Sequence, residues 1–100
     1  MEICLTNEAK HALATVYKTY KNRRNAGIGK LQAVYFDGSS SDGKRVCAEV
    51  SECKQELCKA GFLCCDILGG VSLEDKAIVY MENKTIDTIK EWLSLGAQLF

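Results

Sequence analysis

The stretch "AGFLCCDILGGVSLEDKAIVYMEN", from Ala60 to Asn83, decides the fold. Phe62 to Leu68 is an apolar run with β-forming residues, and Gly69-Gly70 is typical of a tight hairpin turn. Val71-Ser72-Leu73 is then predicted to be a short returning strand. Glu74-Asp75-Lys76 opens a helix, because acidic side chains are favoured in the first turn. The stretch therefore predicts a two-stranded hairpin followed by a helix.

A further helix is predicted directly before the hairpin. The apolar residues of this segment recur every three to four positions, which is the spacing of one helical face. They predict a single helix from Val46 to Ala60, and Gly61 is the expected stop because glycine favours the end of a helix. The preceding "DGSSSDGK", Asp37 to Lys44, is predicted to be a loop from its composition.

The remaining segments are predicted to be mainly helical. A first helix begins at a Thr6-Asn7 cap, carries an apolar face with helical spacing, and ends at Asn25-Ala26-Gly27. A short helix is expected from Lys30 to Phe36, although Val34-Tyr35-Phe36 is also compatible with a strand. A last helix is capped by Thr85 and carries an apolar stripe.

The predicted elements come in the order helix, short helix, loop, helix, hairpin, helix, helix. A chain of 100 residues is expected to form one domain, and three helices followed by a hairpin is the plan of a winged helix. We therefore predict an α+β, mostly helical fold over residues 1–100. It is a winged helix-turn-helix with a two-stranded wing and an extra C-terminal helix. The Val46–Ala60 helix takes the recognition position, which in this motif enters the major groove of DNA.

Parts of the sequence also resemble a known signature. "ELCKAGFL" resembles the end of a recognition-position helix, and "VSLEDKAIVYMEN" resembles the segment that leads from the wing into the next helix. From about Thr6 to Leu95 the chain is similar to the YjcQ-like family of small bacterial and phage winged-helix proteins. Glu74 and Ala77 depart from the threonine and glycine usual there, and both suit a helix. The resemblance implies the winged-helix fold more directly than a function, because most members are uncharacterised.

Six cysteines are a high count for a chain of this length. The opening "MEICLTNEAK" has no apolar segment and so predicts no secretory signal, and no apolar run approaches the roughly 18 residues of a membrane span. We therefore expect a cytoplasmic protein without membrane association, whose thiols stay reduced.

The cysteines offer little for metal binding or catalysis. They form no CxxC motif, and His11 is the only histidine. We therefore expect no metal site, no cofactor, no small-molecule ligand and no enzymatic activity. Cys64 and Cys65 are expected to point to opposite faces of a strand, with one facing the core. A thiol-based redox sensor is the alternative to buried or bystander cysteines.

The net charge is zero but unevenly distributed. Residues 1–45 hold eight basic against four acidic residues (+4), and residues 46–100 hold five against nine (−4). The basic half can attract the phosphate backbone. We therefore expect a DNA-associated, transcription-regulator-like protein. Its gene could come from a phage or another mobile element. The residues expected to contact double-stranded DNA are Lys44, Arg45, Ser51, Lys54, Gln55, Lys59, Arg23, Arg24 and Lys30.

Three features argue against DNA binding. Glu49, Glu52 and Glu56 lie on the predicted recognition helix, where they would repel phosphate. The predicted wing holds Asp66 and no basic residue. The pI near 6.6 is also low for a DNA-binding domain. The alternative is a protein-interaction module on a winged-helix scaffold without DNA binding, which uses the acidic helix face and the C-terminal apolar stripe as binding surfaces.

The last predicted helix carries a large apolar surface for a terminal segment. The surplus predicts a homodimer, and two-fold symmetry would suit a palindromic operator. The alternative is that the stripe completes the core. The expected dimer residues are Ile86, Ile89, Trp92, Leu93, Leu99 and Phe100.

Overall fold

The structure, a computed structural model, describes residues 4–95 of the chain. It confirms an α+β, mostly helical fold with a small antiparallel sheet. Its elements in chain order are α1 (Asn7–Asn25), α2 (Lys30–Ala33), β1 (Tyr35–Phe36), α3 (Ser41–Val50), α4 (Lys54–Lys59), β2 (Leu63–Cys65), β3 (Val71–Leu73), α5 (Asp75–Glu82) and α6 (Ile86–Ser94).

The long helix α1 forms as predicted and lies against α3 and α6. The Thr6 side chain accepts a hydrogen bond from the Ala9 N–H at 3.2 Å, which satisfies one of the free amides of the first turn. Beyond the last turn the chain reverses at Gly27, whose φ of 91° favours glycine. The apolar face of α1 supplies a large share of the buried residues, including Leu13 and Val16.

The predicted helix from Lys30 to Phe36 is wrong in its second half. Helix α2 ends at Ala33, and Tyr35 and Phe36 form the strand β1, which pairs with β3. The alternation decides this outcome: Phe36 is fully buried while Tyr35 is exposed, as expected on the two faces of a strand. The sheet consequently has three strands in the order β1-β3-β2, where the sequence predicted a two-stranded wing alone.

The predicted single helix from Val46 to Ala60 is also wrong, because the structure holds two helices there. Helix α3 begins at Ser41, inside the segment predicted to be a loop, since the Ser40 hydroxyl accepts a hydrogen bond from the Gly43 N–H at 3.1 Å. It ends at Val50, and the bonds Ser51 N–H to Ala48 O and Cys53 N–H to Val50 O span three residues instead of four. A turn over residues 51–53 therefore separates α3 from α4.

The β2–β3 hairpin forms as predicted, but its first strand is shorter. Leu63 pairs with Leu73 and Cys65 with Val71, and the chain then turns over residues 66–70. The Asp66 carboxylate holds this turn by accepting the N–H groups of Leu68 at 3.0 Å and Gly70 at 2.7 Å. The apolar residues Ile67 and Leu68 therefore belong to the turn and not to a strand.

The core lies between α1, the sheet and the remaining helices. Its largest fully buried side chains include Phe36, Leu13, Leu57 and Met81. Phe62 belongs to the same core and stacks on Tyr80, with ring centroids 4.7 Å apart. None of the helices within residues 4–95 has the length and apolar character that a membrane crossing requires.

Candidate nucleic-acid interface

The outer face of α4 is the first candidate surface. Leu57 is buried and fixes the inner face of the helix, and Cys53 in the preceding turn is buried beside it. Gln55 and Lys59 are exposed one helical turn apart, and Lys54 is half-buried next to Gln55. Ser51 is exposed in the turn that leads into α4. The structure therefore brings four of the predicted DNA-contacting residues to one part of the surface.

Two of the three carboxylates that argued against DNA binding are held by the chain itself. Glu56 accepts hydrogen bonds from both the N–H and the hydroxyl of Thr6, each at 2.8 Å, and so ties α4 to the start of α1. Glu49 lies 3.2 Å from Nε2 of His11 on α1. Glu52, in the turn between α3 and α4, is exposed. The turn between the two helices separates Glu49, on α3, from α4, while Glu56 lies on α4 and keeps its negative charge, because both Thr6 donors are neutral.

Arg23 does not contribute to an open basic patch. Its guanidinium grips Asp42 through two bonds of 2.8 Å, from Nε and from Nη2. Nη1 donates to the carbonyl oxygens of Gln32 at 3.1 Å and Tyr35 at 2.6 Å, and Nη2 also reaches the Ser40 hydroxyl at 3.3 Å. With all five N–H groups directed to protein acceptors, this side chain joins α1 to α2, β1 and α3. The sequence placed it among the phosphate contacts, because a basic last turn carries no sign of a partner elsewhere in the chain.

Hydrogen bonds from Arg23, and secondly from Ser40, hold the pKa of the Asp42 carboxyl well below its usual range. Lys30 and Arg24, which were also predicted to contact DNA, have neighbours within the chain as well. Lys30 lies 2.9 Å from Asp75 in an exposed ion pair. Arg24 donates to the carbonyl oxygen of Ile28 at 3.2 Å. Both side chains stay on the surface, where solvent weakens such contacts.

Lys44 and Arg45 lie within α3, and not directly before the helix that was predicted to take the recognition position. Both side chains are exposed. Arg45 faces α1, where it lines a polar cleft of about 290 Å³ together with Lys18, Asn22 and Glu49. The structure therefore separates Arg45 from the outer face of α4, and the sequence missed this because it did not detect the break between α3 and α4.

The tip of the hairpin is apolar and carries no basic residue. Ile67 and Leu68 are 102% and 89% exposed. Below the tip, the Tyr35 hydroxyl donates to the Asp66 carboxylate at 2.6 Å and links β1 to the turn. This bond raises the pKa of Tyr35 to about 12 and lowers the pKa of the Asp66 carboxyl. The exposed apolar pair was not predicted, because both residues were assigned to a strand.

The cysteines are all free thiols within the described part of the chain. Cys64 is exposed and Cys65 is half-buried, as expected for neighbours on opposite faces of a strand. The sulfur of Cys65 lies 3.2 Å from that of Cys58 on α4, a pairing that sequence spacing did not reveal. Within residues 4–95, no cluster of three or more His, Cys, Asp or Glu side chains is arranged to hold a metal ion.

The C-terminal helix α6 uses most of its apolar stripe inside the chain. Trp92 is only 7% exposed, because its ring lies near Tyr80 and its carbonyl oxygen is 3.2 Å from His11 Nδ1. Trp92 was predicted at a dimer interface and is instead part of the core. The other predicted dimer residues are placed as follows: Ile89 and Leu93 are half-buried against the core, Ile86 is 72% exposed, and Leu99 and Phe100 lie outside the described residues.

The homodimer through this helix stays a prediction. Sedimentation of the chain at micromolar concentration tests it, and a monomer there would remove it.

Comparison with known proteins adds no assignment. No family model, no curated protein and no solved structure matches the chain. The resemblance to the YjcQ-like family therefore stays a hypothesis that rests on sequence, and function is inferred from the surfaces of the chain itself.

Proposed function

We propose that the chain is a winged-helix protein that binds double-stranded DNA and acts as a transcription regulator. In this proposal α3 and α4 are the two helices of a helix-turn-helix, and the β2–β3 hairpin is the wing. The turn over residues 51–53 has the length usual for that motif. The strand order β1-β3-β2 agrees with the proposal, because it sets the hairpin beside β1 and directly after α4.

The observation that carries the proposal is the exposed face of α4. It presents the exposed side chains of Gln55 and Lys59 beside the half-buried Lys54, and its one carboxylate, Glu56, accepts two hydrogen bonds from Thr6. A glutamine can bond both N6 and N7 of adenine, and a lysine can bond guanine or phosphate. A short helix with this composition suits contact with base edges in the major groove.

Phosphate contacts would come from α3, the first helix of the motif, which crosses the DNA backbone in proteins of this kind. Lys44 is the fourth residue of α3 and is exposed. Arg45 and Lys18 line the cleft between α1 and α3 and form a second basic position. Arg23 is excluded from the proposed contacts because its donors are already used.

Fluorescence anisotropy with a random DNA duplex tests the proposal. Binding is expected at ~50 mM salt and should weaken steeply as salt rises, since phosphate contacts release counterions. Replacing Lys54 and Lys59 by Ala should reduce the salt slope by about 1.8, if each lysine contacts one phosphate. Lys90→Ala on α6 is the matched control, because Lys90 is exposed and lies outside the proposed surface.

Absence of binding at ~50 mM salt would overturn the proposal, because phosphate contacts are strongest there. Equal salt slopes and equal affinities for the Lys54/Lys59 variant and the Lys90 control would place the DNA surface away from α4. Gln55→Ala separates sequence recognition from simple charge attraction. It should leave binding to random duplex almost unchanged and weaken a selected site by about 1–3 kcal/mol.

A second candidate function is a protein-interaction module. The observation that favours it is the fully exposed pair Ile67 and Leu68 at a hairpin tip without any Lys or Arg. Exposed apolar side chains at such a tip can seat in a partner's pocket. The two candidates separate in one comparison: Ile67→Ser with Leu68→Ser should abolish a protein contact and leave DNA binding unchanged, whereas the Lys54/Lys59 variant should weaken DNA binding.

A further inference from the structure

The sulfur atoms of Cys58 and Cys65 lie unusually close for unbonded thiols. Their separation is 3.2 Å, and a disulfide requires about 2.05 Å. The distance between the two sulfur atoms would therefore have to shorten by about 1 Å. A movement of this size lies within the range of small side-chain rotations.

The backbone around the pair is fixed by the reversal of the chain after α4. Gly61 has φ of 79°, and its N–H donates to the carbonyl oxygen of Cys58 at 3.0 Å. The Phe62 N–H donates to Leu57 O at 3.0 Å, which completes a helix end of the Schellman type. Leu57 and Phe62 are both fully buried on the two sides of this reversal. The fold therefore holds β2 against the end of α4, and the approach of the two half-buried thiols follows from the packing of these two elements.

The other cysteines among the described residues have different surroundings. Cys53 is buried, and burial raises the pKa of its thiol to about 11. Cys47 directs its sulfur toward the carbonyl oxygens of Phe36 and Gly69, at 3.7 and 3.9 Å. Cys64, the sequence neighbour of Cys65, is exposed on the other side of β2.

We propose that Cys58 and Cys65 are a redox-active dithiol that closes reversibly to an intramolecular disulfide between α4 and β2. The oxidant is a small-molecule disulfide of the glutathione class. One protein thiolate attacks it, forms a mixed disulfide and releases one glutathione thiol. The second protein thiolate then attacks the mixed disulfide and releases the second thiol. Two protons pass from the cysteines to the two leaving thiolates, and two electrons pass from the cysteine pair to the oxidant.

Burial, and secondly the hydrogen bond with Cys65, raises the pKa of the Cys58 thiol to about 11. Cys58 is therefore almost entirely protonated at neutral pH and attacks slowly, since only the thiolate is a nucleophile. The thiolate fraction of such a group rises about tenfold per pH unit below its pKa. Any step in which Cys58 attacks should accelerate accordingly between pH 7 and pH 9.

This site stands independently of DNA binding, because it is detected by thiol chemistry. The full chain is incubated with excess oxidised glutathione, the remaining thiols are alkylated, and intact mass and tryptic peptides are measured. Trypsin cleaves after Lys59, which separates the peptide of Cys58 from that of Cys65. The expected result is the loss of both the Cys58 and the Cys65 thiol and a cross-linked peptide pair, reversed by dithiothreitol.

Fragmentation of that pair assigns the cross-link to Cys65 or to its neighbour Cys64. The variant Cys64→Ser is the matched control and should form the disulfide as the unaltered chain does. Cys65→Ser should lose it and retain a glutathione adduct that does not resolve. The proposal is overturned if no Cys58 cross-link forms in the unaltered chain, or if the cross-link runs to Cys64 or Cys47. The measurement on the unaltered chain decides this even if a variant fails to fold.

Discussion

Replacing Arg23 by Lys should destabilise the chain strongly although the charge is kept. Lysine lacks the planar guanidinium group. Its ammonium cannot donate to both Asp42 oxygens and also to the carbonyl oxygens of Gln32 and Tyr35. The guanidinium also lies over the Phe36 ring, 4.4 Å from its centroid, and this contact is lost. The Arg23 side chain is 11% exposed, so water does not easily replace the missing donors.

The magnitude follows from the number of bonds lost. A hydrogen bond that involves a charged group contributes about 1.5–3 kcal/mol, and the variant loses at least two of them. Asp42 is 43% exposed, so water compensates part of the loss on its side. We therefore expect the free energy of unfolding to fall by about 2–3 kcal/mol, which corresponds to a melting temperature lower by about 10 °C or more for a domain of this size.

Urea unfolding followed by circular dichroism at pH 7 measures this loss. Arg24→Lys is the matched control, because Arg24 makes one exposed bond to Ile28 and should stay within about 0.5 kcal/mol. A loss below about 1 kcal/mol for Arg23→Lys, or a loss equal to that of the control, would refute the reasoning. Arg23 would then be free to join the DNA-binding surface.

The same pair gives a pH dependence with a defined sign. The pKa of Asp42 is lowered in the folded chain, so its ion pair stabilises the fold above the usual carboxyl pKa of about 3.9. That stability is lost as the pH falls below this value toward the folded-state pKa. The difference in unfolding free energy between the unaltered chain and Arg23→Lys should therefore shrink in acid.

The remaining predictions concern Glu52, Glu56 and the bond between Tyr35 and Asp66. Glu52→Gln should tighten duplex binding more than Glu56→Gln, because Glu56 already faces Thr6; gel shifts at low salt compare the two. Glu56→Ala should lower the free energy of unfolding, measured in urea, by about 1 kcal/mol, since the Thr6 N–H and hydroxyl lose their acceptor. Tyr35 should ionise near pH 12 by NMR and nearer its ordinary value in Asp66→Asn. Because the folded-state pKa is raised, its stabilising effect is full below about pH 10 and disappears as pH rises through 12.

The sequence predicted the elements whose signals are local. Helix α1 has a capping residue, a continuous apolar face and a glycine stop, and these act without help from distant segments. The hairpin was predicted for the same reason, since a glycine pair between apolar runs is a short-range signal. Thr85 likewise caps α6, by accepting the Thr88 N–H at 3.1 Å.

Two of the features that were missed, strand β1 and the contact of Glu56, depend on partners distant in the chain, and a third is hidden by the apolar spacing. The bend between α3 and α4 keeps Val50, Cys53 and Leu57 facing the core, so the apolar spacing passes through it unchanged. Strand β1 is only two residues long, and its partner β3 is far along the chain. The contact between Glu56 and Thr6 is equally distant, and it gives a structural role to a residue that was predicted only to repel phosphate.

The contact between α1 and α6 sets the order in which the chain can become stable during synthesis. His11 Nδ1 lies 3.2 Å from Trp92 O, and the Lys10 ammonium lies 5.7 Å from the Trp92 ring centroid, so the first described helix is covered by the last. Helix α1 leaves the ribosome long before α6 does. Until α6 has been synthesised, part of the apolar face of α1 stays exposed to solvent. A nascent chain with such an exposed face can aggregate with other chains. A truncation before Trp92 would make that temporary state permanent.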